Sequence, residues 1–129
     1  MRSYAREVAF CKIYTYLISG QFDEDFSQFD GEKLTDDDLQ FATTLTQGVI
    51  ADKSKLDAIV SEYSKAFKLS RIYRLDLAAL ELALWEMANT DTPQPVVINE
   101  AVSLAKKYST EKSVSYVNGI LASYVRSIQ

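Results

Sequence analysis

The stretch IYRLDLAALELALW, residues 72–85, decides how the fold is read. Ile72, Leu75, Leu77 to Leu80, Leu82, Ala83, Leu84 and Trp85 spread apolar side chains around nearly the whole circumference of a helix. A surface helix needs only one apolar stripe, so a helix apolar on most faces belongs at the centre with others packed on it. Ser70 is placed to cap it. Upstream, Leu56, Ile59, Val60 and Tyr63 form one helical face, followed by Lys65 and Lys68, cations suited to a helix C-terminus. Leu39, Ala42, Leu45, Val49 and Ile50 form another, opened by Thr35 as N-cap with three aspartates in the first turn. Ala5, Val8, Ala9, Ile13, Tyr16 and Leu17 recur at i, i+3, i+4, and Ser19-Gly20 closes that segment. Phe22, Phe26 and Phe29, at spacings of four and three, predict a short helix pinned by aromatics.

Downstream, Pro93 and Pro95 mark a loop, and Pro95 suits a first helical turn. Ile98, Ala101, Val102, Ala105 and Tyr108 make a further stripe, as do Val114, Val117, Leu121, Tyr124, Val125 and Ile128. No stretch alternates as a strand would. The expectation is an all-α fold, a single compact bundle of about seven helices and one domain over residues 1–129.

Composition narrows the chemistry. The chain has 129 residues, one cysteine and no histidine. A single cysteine excludes an intramolecular disulfide framework and fits a reducing, cytoplasmic setting. The absence of histidine removes Ser–His–Asp and Cys–His catalysis and the commonest metal ligand together. No run approaches a membrane span, and the N-terminus does not read as a signal peptide. No glycine-rich phosphate loop or nucleophile elbow is present, and Asp36–Asp38 match no EF-hand spacing. Cys11 has no histidine to activate it and reads as a packing residue or exposed thiol. The reading is non-enzymatic, with no cofactor and no metal.

Net charge is −4, yet eight acids and one base fall between Asp23 and Asp38, leaving a basic balance of +3 elsewhere. A nucleic-acid partner is therefore allowed. Arg6, Phe10 and Tyr14, four residues apart, form one row beside the core face of the first helix. Such a row can clamp a phosphate and stack bases, or simply widen the core contact, and spacing alone favours the core. Arg2 and Lys12 add charge nearby. Lys65, Lys68, Arg71 and Arg74 recur every three residues, as a solvated strip or a contact for phosphate or protein; Arg74 and Asp76 could serve a protein interface. Asn118-Gly119 sits inside a helical periodicity, where glycine costs about 1 kcal/mol relative to alanine. Its small size points to a closely crossing helix or a ligand backbone, with helix crossing the simpler reading.

The run VVINEAVSLAKKYSTEKSVSYVNGIL, Val96 to Leu121, is similar to the INEA, LAK and S-x-x-(F/Y)-VNG signature of the NusB family. Ala5-Arg6-Glu7 with Tyr14, Leu45-x-x-Gly48-Val49 with Leu56-Asp57, and Ala83-Leu84-Trp85-Glu86-Met87 resemble its other segments in order. The resemblance implies an all-helical antitermination factor that binds single-stranded boxA-type RNA of ribosomal RNA transcripts. It implies two partners, NusE, a small-subunit ribosomal protein, and an RNA polymerase antitermination complex. By it, Arg6 would hold phosphate and Tyr14 a base, with Arg2 and Phe10 in the same row. Tyr116, Asn118 and Gly119 would complete the RNA surface, with charge from Lys106, Lys107 and Lys112. Arg71, Arg74 and Asp76 would lie near the partner protein. The family's several consecutive N-terminal arginines are reduced here to Arg2, implying a shallower salt dependence. Glu81 stands where the family pattern has an arginine. The competing expectation is a helical protein-interaction module or homodimer whose RNA surface has decayed.

Overall fold

Every residue from Asp76 to Glu86 is buried. The computed structural model describes residues 2–129, which form six α-helices and one 3₁₀ turn and contain no strand. The helices are α1 (Arg2–Ser19), α2 (Asp36–Ala51), α3 (Lys53–Tyr63), α4 (Arg74–Asn89), α5 (Gln94–Tyr108) and α6 (Glu111–Ile128), with the 3₁₀ turn at Leu69–Arg71 before α4. Helix α4 touches all five other helices, the position its all-round apolar sequence requires. α1 packs on α2, α4 and α5, whereas α6 packs on α3, α4 and α5, so α1 and α6 are not neighbours.

Helix ends follow local chemistry. Thr35 opens α2 with a capping box: its hydroxyl accepts from the Asp38 N–H, and the Asp38 carboxylate accepts from the Thr35 N–H. Thr110 and Ser113 form the same device at α6. Pro95 occupies the first turn of α5, and Gly20 closes α1 at φ +77° with its N–H on the Tyr16 carbonyl.

Four expectations change. The acidic segment is not a helix: the carboxylates of Asp23, Asp25 and Asp30 each accept from the N–H two residues on, and these Asx turns displace helical bonding. Phe26 and Phe29 still pack on the core. α3 stops at Tyr63, so Lys65 and Lys68 lie in the loop beyond it and not on a helix C-terminus. Ser70 lies in the 3₁₀ turn, and α4 begins after Tyr73 with no side-chain cap.

The glycine requiring close helix approach is Gly48, not Gly119. A Cβ at Gly48 would fall 2.1 Å from the Trp85 ring, where α2 crosses α4. A Cβ at Gly119 would meet nothing within 4 Å. Gly48→Ala should therefore lose about 1–3 kcal/mol of stability through overpacking. Gly119→Ala should gain up to about 1 kcal/mol through helix propensity. Urea denaturation of both variants checks this, and effects of the same sign would contradict it.

Candidate nucleic-acid interface

The row Arg6–Phe10–Tyr14 faces inward for most of its length. Phe10 is 1 % exposed and stacks, tilted, on Tyr108 with centroids 5.2 Å apart. Arg6 is 6 % exposed and grips Glu86 of α4 through Nε (2.9 and 3.1 Å) and Nη2 (2.7 Å). Glu100 of α5 lies 3.7 Å from its Nη1. Burial works against the charge on Arg6, but the two carboxylates outweigh it and raise its pKa further. The expected phosphate contact by Arg6 and base contact by Phe10 are thus not offered by this arrangement, because both side chains are enclosed and the guanidinium is occupied. Tyr14 is half-buried against the core edge.

Arg2 is exposed and lies over the Phe41 ring of α2, 3.9 Å from its centroid. Lys12, assigned only as nearby charge, is 3 % exposed. It donates to the Asp25 carbonyl, pairs with Asp23 at 3.4 Å and lies 4.8 Å from the Phe26 centroid. It thereby straps the acidic segment onto α1. Nothing in the spacing of α1 alone marks it; the signal was the aromatic pair Phe26 and Phe29 across the turn.

At the α1–α5 contact, Glu7 accepts from Lys107 Nζ at 2.7 Å and from the Tyr108 hydroxyl. Burial raises the Glu7 pKa, but these donors outweigh it, and the carboxyl stays below its usual range. Burial, joined by Glu7, pushes the Tyr108 phenol up. Burial likewise raises the Cys11 thiol, partly countered by the Tyr108 hydroxyl 4.0 Å away, which fits packing and not nucleophilic chemistry. Lys106, Asn118 and Gly119 are exposed. With no helix crossing at Gly119, that surface of α6 is open to close approach.

Four of the five remaining candidates meet in one cleft of about 280 Å³, between the loop leading into α4 and the first turns of α6. Arg71 and Asp76, expected at a protein interface, line it together with Lys112 and Tyr116, expected at RNA. The Tyr116 hydroxyl is hydrogen-bonded to Ser64 at 2.7 Å, and burial raises its pKa. Asp76 is 4 % exposed and accepts from Ser109 Oγ (2.7 Å) and Ser113 Oγ (2.9 Å), tying the start of α6 to α4. Two further aromatics, Phe67 and Tyr73, line the cleft, and no motif in the sequence marks them. Arg74 lies apart from it, in a second depression with Leu17, Lys68 and Leu77.

The NusB family profile matches residues 3–126. The chain belongs to the NusB family. It is 39% identical to the transcription antitermination protein NusB of Acetivibrio thermocellus, covering 97% of this chain and 88% of that one. The Finegoldia magna protein of the same name is 35% identical over 97% of this chain and 93% of its own. Among solved structures, T. maritima NusB superposes with a TM-score of 0.88 at 28% identity, covering 98% of this chain and 91% of that one. A NusB solved with NusE and double-stranded RNA superposes with a TM-score of 0.84 at 25% identity, covering 98% and 96%.

Glu81, the departure from the NusB pattern, is fully buried. Lys53 Nζ donates to it at 3.3 Å and to Asp57 at 2.5 Å. Burial, reinforced by Asp57, pushes the Glu81 pKa from 4.5 to about 9. Oε1 of Glu81 and Oδ1 of Asp57 have no donor among the described residues, and a proton retained on Glu81 supplies one.

Two outcomes follow. Arg6→Ala strands Glu86 in the core and should cost about 3–5 kcal/mol in urea denaturation, with Arg6→Lys retaining part of it; an unchanged midpoint for Arg6→Ala would place Arg6 outside the core. Folded Glu81 holds its proton to about pH 9, while the unfolded chain releases it near 4.5. Its stabilising contribution is therefore full below pH 4.5 and lost as pH rises to about 9. The Tm of Glu81→Gln relative to the natural chain should climb between pH 5.5 and 8.5, whereas a constant offset would mean Glu81 does not titrate there.

Proposed function

We propose that the chain is a transcription antitermination factor that binds boxA-type RNA of ribosomal RNA transcripts together with a NusE-like ribosomal protein, within an RNA polymerase antitermination complex. The observation that carries this is the likeness, over 97% of the chain in sequence and 98% in fold, to antitermination proteins named NusB, one of them solved with NusE and double-stranded RNA. The role is one of binding, not catalysis. No helix among the described residues is long and apolar enough to cross a membrane.

On this reading the exposed cations Arg2, Lys106, Lys107 and Lys112 hold phosphates and set the RNA's register. Tyr14, Tyr116 and Asn118 meet bases, and Gly119 lets the backbone come close. Arg6 acts from inside: by locking α1 to α4 and α5 it positions Arg2 and Tyr14. Arg74, beside Leu17 and Lys68, is the point at which the partner protein meets α4.

The test is a titration into labelled boxA RNA and a scrambled RNA at fixed salt, with and without the NusE-like protein. Preference for boxA that strengthens with the partner is expected. Lys112→Ala should weaken both RNAs and flatten the salt dependence by about one unit of slope. A stable homodimer that ignores both RNAs, with or without the partner, would select the protein-interaction reading instead.

A further inference from the structure

We propose that Lys53, Asp57 and Glu81 form a proton-operated latch, in which one proton held between the two carboxyl groups keeps α3, and the turn that follows it, seated on α4. The device is regulatory and stands apart from the RNA-binding reading.

The cluster is short of one donor. The Glu81 side chain is fully enclosed, whereas that of Asp57 is 13 % and that of Lys53 31 % exposed. Lys53 Nζ reaches one oxygen of each acid, Asp57 Oδ2 at 2.5 Å and Glu81 Oε2 at 3.3 Å. Asp57 Oδ1 and Glu81 Oε1 are buried with no donor among the described residues. Fully ionised, the cluster would set two carboxylates against one ammonium in an enclosed site, an excess charge that burial penalises. One proton on Glu81 removes that excess and supplies the missing donor. Asp57 and Lys53 are the charged groups that act on Glu81. Elsewhere on α4 the neighbouring charges are engaged with other groups. Arg6 of α1 meets Glu86, with Glu100 of α5 beside it, and Asp52, between α2 and α3, accepts from the Trp85 indole. The start of α6 offers serines to Asp76. Lys68 and Arg74 border the same depression as Lys53.

α3 is the helix that such a latch can release. Two of its eleven residues, Leu56 and Val60, are buried, against eleven of sixteen in α4. A segment with few buried apolar contacts opens ahead of the core. The first turn of α3 has no side-chain cap, because the Asp52 carboxylate accepts from Trp85 instead. Lys53 and Asp57 therefore fasten the uncapped end, while the Tyr63 hydroxyl is bonded to Ser127 of α6 at the other. α3 runs into the turn that holds Ser64 on the Tyr116 hydroxyl and Phe67 against the Tyr116 ring. Freeing α3 frees this turn, and with it Lys68 and Arg71. Loss of a proton inside the bundle thereby reaches its surface.

Native-state hydrogen exchange tests this on the full chain, on Glu81→Gln and on Asp57→Asn, between pH 5.5 and 8.5. With α3 seated, Glu81 keeps its proton to about pH 9; once open to water, it releases it near 4.5. Opening α3 therefore releases one proton across this window and becomes about tenfold easier with each pH unit. Protection is the rate of an unstructured peptide divided by the observed rate. At residues 53–71 of the natural chain it is expected to fall about tenfold per pH unit while staying below that of α1 and α5 throughout. Glu81→Gln cannot ionise, and its protection should stay constant. Asp57→Asn places an amide donor beside Glu81 in place of a carboxylate, so the fall should level off at a lower pH; this variant carries the test if circular dichroism shows Glu81→Gln unfolded. Protection at 53–71 that ignores pH in the natural chain, or that matches α1 and α5, overturns the latch. An equal fall in all three proteins assigns the proton to another group and overturns it as well.

Discussion

Between Asp76 and Glu86 helix α4 has no solvent face, so every polar side chain in that stretch must be answered from within the protein. It carries three acids in the enclosed stretch, Asp76, Glu81 and Glu86, spaced by five residues. At about 100° per residue, successive acids point about 140° apart. Each is consequently met by a different part of the bundle. Ser109 and Ser113 answer Asp76 from the α5–α6 junction, Lys53 answers Glu81 from α3, and Arg6 answers Glu86 from α1. Apolar packing, as at Gly48 against Trp85, holds the helices close to α4. These three polar contacts add fixed points between α4 and α1, α3 and the α5–α6 junction.

That constraint links the fold to its surface. Arg6 places α1, and with it Arg2 over Phe41 and Tyr14 at the core edge. Asp76 places the first turn of α6, and with it Lys112 and Tyr116. The residues best suited to touch a nucleic acid therefore stand one step out from the buried acids. An RNA surface on a chain of negative net charge becomes intelligible, since Lys12 holds much of the acidic segment against α1, on the helix that α6 does not touch.

What could be read in the sequence was whatever depends on near neighbours. Periodicity located the helices and the central place of α4. Thr35 with Asp38, Pro95 and Gly20 announced their own local roles. What could not be read depends on which faces meet. The Phe22–Phe26–Phe29 spacing matched a helix, yet the intervening aspartates bind their own backbone first. Gly119 stands out because it interrupts a helix pattern, while Gly48, which the packing does require, stands out only as part of a family segment and not by its local pattern. Arg6 resembled a phosphate ligand because its partners, Glu86 and Glu100, are 80 and 94 positions away. Phe67 and Tyr73 carry no sequence signal for the same reason: only the turn between α3 and α4 brings them to α6.

The meeting of Gly48 with Trp85 has an optical consequence. Trp85 is the only tryptophan in the chain, is 9 % exposed, and donates its indole N–H to Asp52 at 3.0 Å. Its emission is governed by the junction of α2, α3 and α4 and not by the cleft at α6. The molecule thus carries an intrinsic fluorophore at the crossing of α2 and α4, and a red shift of its emission signals that this junction has opened.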